Sequence, residues 1–94
     1  MFVLALEVDL HLAEARSLKD KRSVLKTLVE GARKRYGVAA AEVGFQQQWQ
    51  RARLGFAIVA SSEGHARDVM DEVDRFVWSH PEVQVLATER RWLE

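Results

Sequence analysis

An alternating segment at residues 2–12, two capped amphipathic helices, and elements in the order β-α-β-β-α-β predict an α+β fold. Its form is an antiparallel four-stranded sheet with one wet face and both helices on the other, the ferredoxin-like split β-α-β sandwich. The whole chain, 1–94, reads as a single domain, with no internal repeat, linker or low-complexity tract.

Residues 2–12 place Phe2, Leu4, Leu6, Val8, Leu10 and Leu12 on one face and Val3, Ala5, Glu7, Asp9 and His11 on the other, the pattern of a half-buried strand. Ser17 then offers an N-cap hydroxyl, and Asp20 stands three residues on, where a capping-box acid meets the helix dipole. Leu18, Leu25, Leu28, Val29, Ala32 and Tyr36 fall on one side of a helix that runs to Gly37, a natural stop. A second strand is expected at 38–46, with Ala39, Ala41, Val43 and Phe45 inward and Ala40, Glu42, Gly44 and Gln46 outward. Gln46-Gln47-Gln48-Trp49-Gln50 is the expected hairpin tip, without an Asn-Gly or Asp-Gly pair to define its turn.

The third strand, 52–60, turns Leu54, Phe56 and Ile58 inward and Arg53, Gly55, Ala57 and Val59 outward. Ser61-Ser62-Glu63 caps a second helix that ends near Ser79, ahead of Pro81, with an apolar stripe of Ala66, Val69, Met70, Val73, Phe76 and Val77. Trp78 lies off that stripe and either covers a strand end or marks a partner surface. A weakly alternating last strand is expected at 82–90. In this topology the first and third strands are central, so Glu7, Asp9 and His11 neighbour Arg53 on the open face.

Composition removes several chemistries. The 94 residues include no cysteine, which excludes disulfides, thiolate nucleophiles, iron–sulfur clusters and Cys-ligated zinc. Paired cysteines would be needed for a metallochaperone of this fold, and the Arg–Asn pair of an acylphosphatase is impossible because the chain has no asparagine. No Gly-rich phosphate loop, nucleophile elbow or zinc motif occurs, and His11, His65 and His80 fall on different elements. The expectation is a protein that is not an enzyme, with no cofactor and no metal. Glu7, Asp9 and His11 have ligating chemistry, but any strand with a wet face yields this spacing; pairing of Glu7 or Asp9 with Arg53 is the better reading. Glu7 and Asp9 interrupt the apolar start far short of a signal or membrane segment, so a cytoplasmic protein without membrane contact is expected.

Charge is balanced in total and uneven in place. Of fourteen Lys and Arg residues, seven lie between Lys19 and Arg35, against only Asp20 and Glu30. At 100° per residue Lys19, Arg22, Lys26 and Arg33 form a stripe about 60° wide beside the apolar face. From Glu63 onward, eight acids outnumber four arginines. A basic helical stripe is the footprint a polyanion reads, although a merely solvating face has the same pattern. The hairpin adds Trp49, which either stacks a base beside Arg51 and Arg53 or folds back as a plug over the core. The expected nucleic-acid-binding set is therefore Lys19, Lys21, Arg22, Lys26, Arg33, Lys34, Trp49, Arg51 and Arg53. Gly55-Phe56-Ala57-Ile58-Val59 echoes an RNA-recognition strand, but Leu54 stands where a basic residue is needed, and Glu7 and Asp9 would repel phosphate from that face.

Ser17-Leu18-Lys19-Asp20-Lys21-Arg22-Ser23-Val24-Leu25-Lys26, then Ala41-Glu42-Val43-Gly44 and Trp49-Gln50-Arg51-Ala52, with Ser79-His80-Pro81-Glu82-Val83 entering the last strand, resemble the YlxP-like family of small bacterial domains of unknown function. The resemblance runs along the whole chain and implies a ferredoxin-like fold, with no established activity or catalytic residues. Family members are often encoded beside translation-initiation and ribosome-maturation factors, which implies a ribosome- or RNA-linked role. The family has an acid where this chain has Gln47, so no role resting on an acid there carries over. The expected partner is ribosomal RNA or a ribosome assembly intermediate. The alternative is a homo-oligomer, such as a homodimer, formed through an open-face patch of Val3, Ala5, Ala57 and Val59, with no nucleic acid.

Overall fold

A computed structural model describes residues 1–94. The elements are β1 (Phe2–His11), α1 (Leu18–Tyr36), β2 (Ala39–Gly44), β3 (Arg51–Ala60), α2 (Glu63–Trp78) and β4 (Gln84–Trp92). The four strands form one antiparallel sheet in the order β2-β3-β1-β4, with both helices on one face: the ferredoxin-like fold. β1 and β3 occupy the centre because each presents a clean alternation of large apolar and polar or small residues, and so can be buried on one side along its whole length.

The inward residues of β1 and β3 meet Leu25, Leu28 and Ala32 of α1 and Ala66, Met70, Val73, Phe76 and Val77 of α2 in a core of 21 buried side chains. Both helix starts use the expected caps: the Ser17 hydroxyl accepts from the Asp20 amide at 3.0 Å and the Ser62 hydroxyl from the His65 amide at 3.2 Å. Asp20 Oδ2 in turn accepts from the Arg16 amide at 3.0 Å. Gly37, at φ 66°, ends α1 with its amide donating to Arg33 O. The helices approach closely at Gly31, where a Cβ would fall 2.5 Å from Phe76 Cζ.

Two strands depart from expectation. β2 is turned over: Val38 and Ala40 are buried, whereas Ala39, Ala41 and Val43 face outward. Three consecutive alanines carry no polarity contrast, and the deciding residue, Glu42, points inward to a buried cation rather than to water. β4 begins at Gln84 because His80 to Val83 form a turn around Pro81, closed by the Val83 amide on His80 O. A bulge between Asp9 and Leu10 shifts the β1–β4 register and leaves Leu86 exposed. Trp78 is largely exposed.

Candidate nucleic-acid interface

The structure divides the expected binding residues into three groups. Lys19, Arg22, Lys26, Arg33 and Lys34 are exposed on α1. None has a carboxylate within 4.0 Å; the protein's ion pairs are Lys21–Glu42, Arg53–Asp9, Arg67–Glu63 and Arg90 with Asp71 and Asp74. Arg35, also exposed, packs over the Phe76 ring on the side of α2. Arg33 lies on the side of β2, the sheet edge, and its Nη2 donates to Ala40 O at 2.6 Å. That bond ties the Arg33 guanidinium to the backbone of the edge strand. The stripe therefore borders the β2 edge of the domain, with its charge turned to solvent.

Lys21 does not belong to that surface. Its side chain is fully buried, in correction of the expected phosphate contact. Measured from Lys21 at 100° per residue, Leu25, Leu28 and Ala32 lie within about 40°, so the helix drives this lysine into the core. Its Nζ donates to Phe45 O at 2.9 Å, Gln46 O at 3.3 Å and Arg51 O at 3.3 Å, which uses all three ammonium protons. Glu42 Oε2 lies 2.8 Å away as counter-charge, outside hydrogen-bond alignment. Lys21 is thus the clasp that ties both arms of the β2–β3 hairpin to the first turns of α1. Gln50 adds a second tie, its Nε2 donating to Ala13 O and Ala15 O at 3.1 Å each.

Arg51 and Arg53, expected beside Trp49, stand on the other side of the sheet from the α1 cations. Both lie in register with open-face residues of β1, His11 and Asp9, on the side of the sheet away from α1. The period of two sends every odd residue of β3 to that face, so they cannot join the helix stripe. Arg53 binds Asp9 through two bonds, Nε to Oδ1 at 2.5 Å and Nη2 to Oδ2 at 3.1 Å. The hydrogen bond from Arg53 holds the Asp9 carboxyl below its usual range, against a smaller opposing effect of burial, with the charges of Arg53 and Arg51 assisting. The same bond raises the Arg53 guanidinium, helped by the charges of Asp9, Glu7 and Glu89. Arg51 stacks over the Phe45 ring, 4.5 Å from its centroid.

Trp49 is 55% exposed at the hairpin tip and plugs nothing. With Lys21 and Gln50 fixing the loop, its ring is held out to solvent at the N-terminal end of α1. Phe56, the aromatic of the RNA-recognition echo, is buried beneath the helices and has no surface for a base. No helix is long and apolar enough to cross a membrane.

Comparison with known proteins places this architecture. It resembles a de novo designed protein with a ferredoxin fold, at a TM-score of 0.56 and 12% identity, covering 100% of this chain and 87% of the other. At that identity the likeness concerns the fold alone. The chain is 34% identical over 86 residues to the uncharacterized protein YlxP of Bacillus subtilis (strain 168), covering 92% of this chain and 94% of the relative. Residues 3–90 match the model of a family described as protein of unknown function, DUF503. The chain belongs to the DUF503 family, the YlxP-like proteins of unknown function.

Proposed function

We propose that the protein is a non-enzymatic, cytoplasmic binding module that docks on ribosomal RNA or a ribosome assembly intermediate through the exposed side of α1, with the hairpin tip beside it. The observation that carries this reading is the set of unpaired cations on α1. Lys19, Arg22, Lys26 and Lys34 have neither a carboxylate within 4.0 Å nor a protein hydrogen bond, while Asp71 and Asp74 of α2 and Asp9 of β1 are matched by arginines. Leaving like charges together on one helix raises its self-repulsion, and a polyanion relieves it by displacing counterions.

The binding set is narrower than the sequence suggests: Lys19, Arg22, Lys26, Arg33 and Lys34 for phosphates, and Trp49 for a base. Lys21 acts beneath this surface by holding the hairpin. Co-sedimentation with ribosomal subunits across a salt series tests the reading, alongside a Lys19→Glu, Arg22→Glu, Lys26→Glu, Lys34→Glu variant. Association that weakens with salt and is lost in the variant supports it. Association insensitive to salt, or equal for both proteins, defeats it.

A further inference from the structure

The sheet face opposite the helices is bare, and its chemistry has two parts. Across β2, β3 and β1, the small residues Ala39, Ala41, Gly55, Ala57 and Ala5 stand in register on that face. They floor a shallow apolar concavity of about 300 Å³. At one end of it Val59 is 65% exposed and Leu93 is 54% exposed, the latter held beside Val3 by a 2.9 Å backbone bond. Hole and knobs therefore lie side by side on one surface.

The second part is electrostatic. Glu7 stands directly opposite Glu89, a like-charge pair across neighbouring strands, which is unfavourable. Arg53 already binds Asp9 through two bonds, and neither Glu7 nor Glu89 has a Lys or Arg within 4.0 Å. Arg91, two residues along β4 from Glu89 and in register with Ala5, has no carboxylate within 4.0 Å. Counted over the whole face, Glu7, Asp9 and Glu89 balance Arg51, Arg53 and Arg91. The face lacks cations at one place, carries an unpaired one nearby, and is neutral as a whole.

We infer that this open sheet face is the contact between two copies of the chain, an isologous homodimer packed sheet to sheet. In such a dimer a patch meets itself, so it must hold both halves of each complementary feature. Here it holds knobs and a small-residue hole, carboxylates without cations and a cation without a carboxylate. A polyanion is a poor fit, because the face is neutral as a whole and Glu7 and Glu89 stand unpaired on it. The area suffices: four strands spaced about 4.8 Å apart with a rise of about 3.4 Å per residue give roughly 600 Å² per copy. The total, about 1,200 Å², reaches the lower bound of specific interfaces. The helices remain free on the outer surfaces, so the dimer presents α1 twice.

Sedimentation equilibrium of the full chain from micromolar to millimolar concentration tests this. Twice the chain mass is expected for the wild type, with Val59→Glu weakening association at least ~100-fold because it places a carboxylate in a dry interface. Val59 is largely exposed in one copy, so circular dichroism of the variant should be unchanged. Leu93→Glu, near the chain end, is the second variant, and Lys26→Glu on α1 is the control that stays dimeric. A monomeric wild type at millimolar concentration overturns the inference. So does undiminished association of both sheet-face variants, or dissociation by Lys26→Glu.

Discussion

Lys21 of α1 and Glu42 of β2 meet at 2.8 Å, with the lysine side chain fully buried and the glutamate at 22% exposure. The ammonium also donates to three carbonyls on the two arms of the hairpin. One side chain thereby neutralises a carboxylate, satisfies three backbone acceptors and sets where the hairpin sits on the helix. Lys21→Met keeps the stem and removes the charge, leaving Glu42 and those carbonyls without their cation. Losing one member of a buried pair costs about 3–5 kcal/mol, a large part of the stability of a small domain. Urea unfolding should show that loss, and Glu42→Leu added to Lys21→Met should recover part of it. A Lys21→Met protein as stable as the wild type would show that the clasp is dispensable.

The same pair is where the sequence pattern and the structure part. β1, β3 and both helices were legible because their apolar residues are large and their polar neighbours charged, which makes the period unmistakable. In β2 the period rests on Ala39, Ala40 and Ala41, and reading Glu42 as wet moved the register by one and inverted every side chain. For Lys21 the signal was present, since it lies at the centre of the Leu25, Leu28 and Ala32 face. The cations around it in the sequence place it instead in the expected nucleic-acid-binding set. A lysine on an apolar helix face and a glutamate on the inner face of an edge strand each read as surface residues; only together do they read as a buried pair. Nothing in sequence spacing states that Lys21 reaches Phe45, Gln46 and Arg51, because that depends on how the hairpin folds back.

Gly31 is required for a steric reason. A Cβ there would fall 2.5 Å from Phe76 Cζ, and the ring cannot withdraw freely because Tyr36 and His80 hold it edge-on at centroid distances of 5.7 and 4.7 Å. Gly31→Ala gains about 0.5–1 kcal/mol from helix propensity. Overpacking costs about 1–3 kcal/mol, so the net effect is a destabilisation of up to about 2.5 kcal/mol. Gly31→Ala with Phe76→Leu should lose less stability than the sum of the two single changes. Thermal unfolding of the four proteins measures that coupling, and strict additivity would locate the strain elsewhere.

The Asp9–Arg53 bond predicts how stability responds to acid. Because the folded carboxyl titrates below its unfolded value near 4, its contribution is complete above that value and is lost as pH falls through the lower folded one. Wild type should therefore exceed Asp9→Asn in urea midpoint at neutral pH, and the gap should close below about pH 4. The pair is partly exposed, so the gap should also shrink in high salt. A gap that stays constant down to strong acid would mean that the aspartate contributes packing, not charge.

Trp49 separates binding from folding. Its ring is mostly exposed, and the turn that carries it is fixed by Lys21 and Gln50, so Trp49→Ala should change stability by less than about 0.5 kcal/mol. If the hairpin tip stacks on an RNA base, the same change should weaken ribosome association by about 1–3 kcal/mol at any one salt concentration. The slope of log affinity against log salt should not move, because no phosphate contact is lost. Lys26→Ala should do the opposite, lowering that slope by about one while leaving unfolding unchanged. Filter binding across a salt series reads both quantities at once. Unaltered affinity in Trp49→Ala would confine the interface to α1, and an unaltered slope in Lys26→Ala would remove that helix from the interface.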